Sequence, residues 1–535
     1  MKKQSTMGGF AVLSAASLIV KALSILYIPI LLGIIGEEGN GIYAAAYQVY
    51  VFVYVLTNSG IPVAISKLVS ELTALNNYKD ALRSFKIARF LLIIAGTITT
   101  ILMMALALPV ARLMHFEKSY LAILALSPTL LFTSIASAYR GYFQGKGNMI
   151  PTALSQVLEQ VVNVIFTILF ASLLIKYGVE AACAGGTVGT SFGALCAAIL
   201  LIIYFLRNND SEMQQYPKNM IVKRYRYKQL VRKLLNYSIP ITLSTGFQYA
   251  GNLIDVWNTK SRLLAAGFTD EKASILYSHL YKYQQLMNVP ISIVSALAAT
   301  VLPAVAGASA LKDRKLVQDR INYAFRICML IVIPSAAGYS VLSRQIFEML
   351  RFGEGSYIMM YGSFILVLQS IVQIQTIVLQ ASGKLYSATF HLVWGIIAKI
   401  TVNYVLISIP SINIMGSILG SLAGYAIPLL LNNIKLKKAV KIRTNLVQHA
   451  FRPLISSVMM TSGILLVNTL LTKIMSLFLK GYINTVISTT VSIIFGICIY
   501  GYCIVITGGI RKEDIQSIPQ KIQKYIPKRL IEKIK

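Results

Sequence analysis

Apolar runs of 20 or more residues recur along almost the whole 535-residue chain. Each is long enough to cross about 30 Å of hydrocarbon as a helix. Inside lipid every backbone polar group must be satisfied by the protein itself, which leaves two solutions, helices or a closed barrel. The alternating strands of about ten residues that build a barrel are missing from the sequence. The chain is therefore expected to be an all-α polytopic membrane protein. A mean hydropathy of +0.67 and a charged share of only 13% agree with this, since soluble globular domains carry about 25% charged residues.

Fourteen spans are expected, at about 10–35, 41–66, 87–111, 119–140, 150–175, 181–206, 235–263, 275–302, 323–345, 357–382, 386–409, 414–434, 453–475 and 482–507. The first run follows Lys2 and Lys3 but is too long for a signal h-region and lacks a small-residue cleavage site, so it is read as retained. The resulting organisation is an N-lobe of six helices at 1–206, a basic linker at 207–234, a C-lobe of six helices at 235–445, a last helix pair at 446–507 and a basic tail at 508–535.

The formal charge of +31 would suggest nucleic acid in a soluble protein, but its distribution says otherwise. The stretch 207–234 holds Arg207, Lys218, Lys223, Arg224, Arg226, Lys228, Arg232 and Lys233 against Asp210 and Glu212, while the opposite connections, EEGN at 37–40, TDEK at 269–272 and PSIN at 410–413, are nearly neutral. By the positive-inside rule both termini are expected in the cytoplasm. No nucleic-acid partner is expected. The basic loops and the KIQKYIPKRLIEKIK tail from Lys521 suit anionic lipid headgroups.

The chain also repeats itself. ARLMHFEKSY at 111–120 is echoed by FEMLRFGEGSY at 347–357, and Phe116–Phe352, Gln144–Gln380 and Gly147–Gly383 are each 236 positions apart. Gly185, Gly189 and Gly193 in the sixth span match Gly416, Gly420 and Gly424 in the twelfth at a spacing of 231, which implies a connection five residues shorter in the second half. Each glycine set is a small-xxx-small ridge for close helix packing. Six helices per repeat gives both halves the same orientation, as in transporters whose halves rock about a central site.

Catalytic constellations are missing. No GxxxxGK[ST], HExxH or GxSxG occurs, and His115, His279, His391 and His449 are scattered, so the protein is not expected to be an enzyme. Cys183, Cys196, Cys328, Cys498 and Cys503 lie in apolar runs without CxxC spacing, and neither a disulfide, a metal site nor a cofactor is expected.

Ionisable residues inside spans are costly and default to functional candidates. Lys21 is near the middle of the first span. Asp255 lies in the seventh, about one turn from Asn258, the repeat counterpart of Lys21. Arg262 and Lys260 follow near the end of that span and Lys282 sits in the eighth, with Lys399 and His391 in the eleventh as weaker candidates. Gln156, Glu159, Gln160 and Asn163 fall at i, i+3, i+4 and i+7 on the fifth, one face of a helix. Arg140, Gln144 and Lys146, read as the turn before it, would form a basic lip suited to a phosphate group. The bland alternatives are helix-to-helix hydrogen bonds for the stripe, interfacial anchoring for Lys260 and Arg262, and a solvated i, i+4 pair for Lys67 and Glu71.

SGIPVAISKLVSE at 59–71, YRGYFQGKGNMIPTALSQVLEQVV at 139–162, NLIDVWNTKSRLLAAGFTDE at 252–271 and LMNVPISIVSALAATVLPAVAGA at 286–308 resemble the stage V sporulation protein B and polysaccharide-exporter branch of the MOP superfamily, which includes MurJ-type lipid II flippases. The resemblance implies a 14-helix, two-lobed, MATE-like protein that moves undecaprenyl-pyrophosphate-linked saccharides outward by alternating access, alongside the cell-wall synthesis machinery. On this likeness Lys21 and Asp255 match family positions. The further arginines of lipid II flippases are replaced by Val55 and Gln285, so a cationic cavity would use Lys21 with Lys282 or Arg262. Glu159, Asn163 or Asp255 would couple a cation, and the last two helices would guide the lipid tail. The competing readings are a cation-coupled multidrug antiporter, a membrane enzyme acting on lipid-linked sugars, and a scaffold using the basic loops.

Overall fold

A computed structural model describes residues 6–213, 224–310, 313–440, 445–478 and 481–509. Every regular element among them is helical. The linker residues 214–223, with Lys218 and Lys223, and the tail from 510 lie outside the described residues.

The first compact unit, residues 1–278, holds α1 (Thr6–Asn58), α2 (Gly60–Ala74), α3 (Tyr78–Leu113), α4 (Tyr120–Gly145), α5 (Ile150–Leu174), α6 (Val179–Met213) and α7 (Tyr227–Ala265). It ends within the first turns of α8 (Asp270–Ala310). The second unit, 279–535, continues with α9 (Arg314–Val341), α10 (Ser343–Met349), α11 (Ser356–Gly362), α12 (Ile365–Ala381), α13 (Leu385–Leu406), α14 (Gly416–Lys435), α15 (Leu446–Phe478) and α16 (Tyr482–Ile506). The two units divide at 278/279, and α7 packs tightly on α2. A Cβ on Gly60 would strike the Ser238 carbonyl.

By length and hydropathy ten described helices can cross a membrane, or eleven with the bent pair 356–362 and 365–381 counted as one span. The predicted first and second spans form one candidate, Ala15–Thr73. The predicted turn at 34–41 is a bend inside α1, where Gly36 takes φ 71°, ψ −178°, a backbone region open essentially to glycine. Helix also continues past the predicted end of the second span, so the loop expected at 67–86 shrinks to 75–77. Lys67 and Glu71 are an exposed i, i+4 pair on α2 at 4.0 Å. Outward faces are apolar, as with Ile98 and Ile101 on α3, Phe390 and Trp394 on α13, and Val458 and Leu466 on α15. Such a surface matches hydrocarbon and would aggregate in water. Inside the first unit an aromatic cluster of Phe85, Tyr139, Tyr142 and Phe205 ties α3, α4 and α6 together.

The repeat is visible in the helix ends. His115 and Arg351, 236 positions apart, both take positive φ (57° and 51°). Phe116 N–H then donates to the Ala111 carbonyl and Phe352 N–H to the Phe347 carbonyl, each at 2.9 Å, the six-to-one bond of a Schellman cap. Gly147 and Gly383 repeat the device after α4 and α12 with φ 75° and 74°, and Asn148 and Lys384 donate back to Phe143 and Leu379. The glycine ridges agree too. Gly189 and Gly193 of α6 lie against the carbonyls of Asn163 and Glu159, while Gly420 and Gly424 of α14 lie against those of Lys399 and Gly395. Partners on α5 and α13 keep the 236 spacing while the glycines keep 231, so the five missing residues fall between Asn403 and Gly416 and are taken from the helix ends, because the connection 407–415 is itself longer than 175–178.

Candidate functional site

The polar stripe lies on α5, and Glu159, Gln160 and Asn163 line a cavity of about 230 Å³ within the first unit. The rest of the wall is Tyr47, Tyr50, Val51, Tyr54 and Val55 from α1, Thr133 from α4, Thr190 from α6 and Tyr249 from α7. The tyrosines form a ladder on α1, with Tyr43 and Tyr47 stacked at 6.0 Å, Tyr47–Tyr50 at 5.6 Å and Tyr50–Tyr54 at 5.9 Å between ring centroids. This ladder is not among the residues expected from the sequence. Its signal was there, since 43, 47, 50 and 54 share one helical face.

Arg140 and Gln144 are not in a loop. Nothing halts α4 before Gly147 turns left-handed, so both residues are helical, and Lys146 alone occupies the C-cap. Arg140 donates through Nε to Ser155 Oγ at 3.0 Å and through Nη2 to Glu159 Oε2 at 2.6 Å. The carboxylate in the cavity wall is thus already matched by a cation on the neighbouring helix. Lys146 stands 5.0 Å from the Tyr142 ring centroid. The Asn163 amide oxygen accepts from Thr167 at 3.0 Å and from Thr190 at 3.2 Å, which fixes its orientation between α5 and α6. The cavity therefore offers hydroxyls, an oriented amide and one internally compensated carboxylate, a set suited to water and a small cation rather than to a bulky anion. In the second unit the position matching Asn163 in the 236 register is Lys399.

Lys21 lies on α1, 15 positions before the bend. It is exposed on the protein and makes no hydrogen bond or ion pair among the described residues. Asp255 is buried on α7, and Arg262 is half-buried near the end of the same helix. No hydrogen bond or ion pair joins Lys21 to Asp255 among the described residues.

Lys260 and Lys282, both fully buried, have local tasks. The Lys260 ammonium pairs with Asp270 at 2.9 Å, donates to Ser274 Oγ at 2.5 Å and lies 4.5 Å from the Phe116 ring centroid. It pins the start of α8 to α7, and it is not an interfacial anchor. Nearby Glu38 pairs with Lys118 at 2.6 Å, while Ser278 Oγ accepts from Asn40 and donates to Glu37. Lys282, expected in a substrate cavity, donates to the carbonyls of Phe352 and Glu354 at 2.6 and 2.8 Å. It holds the loop between α10 and α11. His391 Nδ1 lies 2.7 Å from the Asn432 amide oxygen, bridging α13 and α14. Among the described residues no group of three or more His, Cys, Asp or Glu could hold a metal ion.

Comparison with known proteins places this geometry. A family profile described as polysaccharide biosynthesis protein matches residues 7–309. Stage V sporulation protein B of Bacillus subtilis (strain 168) is 29% identical over 462 residues, covering 84% of this chain and 87% of that protein. The lipid II flippase MurJ of the same organism is 25% identical over 517 residues, covering 92% and 94%. Among solved structures, lipid II flippase MurJ in an inward closed conformation superposes with a TM-score of 0.66 at 15% identity, covering 92% of this chain and 98% of that one. An inward-facing multidrug resistance MATE family transporter of the MOP superfamily gives 0.64 at 15% identity, covering 79% and 95%. At such identity both superpositions speak to the fold alone.

Proposed function

Because the chain belongs to the polysaccharide biosynthesis protein family of the MOP superfamily, we propose that it is a flippase. Its substrate is a polyprenyl-pyrophosphate-linked saccharide, with the peptidoglycan precursor lipid II the first choice, carried from the inner to the outer leaflet by alternating access. The observation that carries this reading is Lys21, a cation midway along the limb of α1 before the Gly36 bend, with no protein partner among the described residues. Holding a charge there costs several kcal/mol unless water or a counter-ion meets it, and a pyrophosphate is such a counter-ion. Transport outward is also downhill in an inside-negative cell, by roughly 2.3 kcal/mol per net negative charge per 100 mV.

Fourteen crossings follow on this reading. To the ten candidate helices are added the bent pair, the division of the first candidate at Gly36, and α7 and α8, which are 39 and 41 residues long. Both termini are cytoplasmic, and the basic connections face anionic lipid, near the cell-wall synthesis machinery. Arg262 and Asp255 support the substrate path, and Arg140, Gln144 and Lys146 lie along its entry. Glu159 and Asn163 serve a coupling cation.

Transbilayer movement of fluorescent lipid II in proteoliposomes, under an imposed potential, tests this. Movement lost in Lys21→Ala, with the protein still folded, supports it. Movement that survives both Lys21→Ala and Asp255→Ala removes these two charges from the mechanism. A second reading, a cation-coupled multidrug antiporter, draws on the tyrosine-lined cavity, since aromatic faces attract organic cations. The Arg140 partner of Glu159 weighs against it. Absence of lipid II movement together with organic-cation efflux from the same liposomes would favour it.

A further inference from the structure

The second unit contains a cavity that the transport reading does not use. It measures about 530 Å³, between α9 and the N-terminal turns of α15, and its walls include Gln318, Asn322 and Arg326 of α9 with His449 and Arg452 of α15. Arg326 is only 7% exposed, a costly place for a guanidinium in a chain of this kind. Arg452 donates to the Gly508 carbonyl just beyond α16. Asp319 also lines the cavity, so Arg326 and Arg452 leave one positive charge in surplus even with His449 neutral. The start of α15 adds the positive end of a 33-residue helix, which favours an anion.

A larger groove of about 810 Å³ continues from this cavity. Asn445, Gln448 and Arg452 line both, and the groove adds the apolar side chains of Leu446, Val447 and Phe451. Val447 and Phe451 are 82% and 61% exposed. A polar, cationic chamber opening directly into an apolar channel has the two-part chemistry of one amphiphile.

We propose that these two chambers form a binding site for an anionic phospholipid. Its phosphate is held by Arg452, Arg326 and the first turn of α15, and its acyl chain runs past Leu446, Val447 and Phe451. The site shares no residue with the transport candidates, so it stands whether or not the protein is a flippase.

The test uses the full-length protein in mild detergent with a phosphatidylglycerol that carries a diazirine in one acyl chain. Photolabelled peptides should map to 446–453. Unlabelled phosphatidylglycerol should compete, whereas phosphatidylcholine and inorganic phosphate at equal concentration should not. Arg452→Gln should lower labelling of that peptide by about tenfold, the loss expected when one charge-assisted contact is removed, and Phe451→Ser should lower it through the lost acyl-chain contact. Should Arg452→Gln fail to fold, the wild-type competition arm still decides. Labelling spread evenly over lipid-facing helices, or equal competition by phosphatidylcholine, overturns the site. Equal competition by inorganic phosphate overturns its lipid character and leaves an anion pocket.

Discussion

Arg140 on α4 and Glu159 on α5 close an ion pair at 2.6 Å, with side chains only 14% and 25% exposed. Removing one partner strands the other charge among packed helices, at a cost of about 3 kcal/mol. Arg140→Ala and Glu159→Ala should each lower the thermal midpoint in detergent, and the double variant should lose less than the two losses added. Strictly additive midpoints would mean that the two charges do not stabilise one another.

Lys282 should behave as a structural residue. Its ammonium satisfies two main-chain carbonyls in the loop between α10 and α11, and each buried acceptor left bare costs about 1–3 kcal/mol. Lys282→Met is therefore expected to shrink the monodisperse peak in size-exclusion chromatography and to lower the unfolding midpoint. An unchanged midpoint would mean that these two contacts do not hold the loop.

Gly36 and Gly33 separate conformation from packing. A Cβ at either position meets nothing within 4 Å, but only Gly36 has positive φ. Gly36→Ala should cost about 1–3 kcal/mol from backbone strain alone. Gly33→Ala should be neutral or stabilising by up to about 1 kcal/mol. Equal melting curves for the two variants would show that the bend is not held at Gly36.

The two glycine ridges should differ in how they can be repaired. An added methyl at Gly189 collides with the Thr167 main-chain nitrogen, whereas at Gly420 the nearest obstacle is the Asn403 side-chain oxygen. Overpacking of either kind costs about 1–3 kcal/mol. Asn403→Ala should restore much of the folded yield lost in Gly420→Ala, while Thr167→Ala should restore little of that lost in Gly189→Ala. Comparable rescue at both sites would mean that α5 and α6 can move apart.

The membrane class, the helix order and the repeat could be read from apolar runs and spacings, because lipid thickness and the 236-residue register act along the chain itself. The tasks of single charges could not. Lys282 looked like a cavity cation because its partners are carbonyls at 352 and 354, and a carbonyl leaves no mark in sequence. Arg140 reads as part of a turn because its run of apolar neighbours ends there, although the helix ends only where Gly147 allows it. The stripe on α5 was legible from its helical spacing. Its tyrosine counterpart on α1 had the same spacing but passed for ordinary apolar content.

The matched helix caps separate architecture from electrostatics. Positions 115 and 351, and 147 and 383, keep the same backbone conformations, while the position that holds Asn163 in one half holds Lys399 in the other. Two identical subunits related by a twofold axis must carry the same charge at every equivalent position. A single chain that contains the plan twice is free of that rule, and each copy can drift in polarity while its turns stay fixed. Two separate copies of either half would carry identical caps and identical charges, with no difference in polarity left between them.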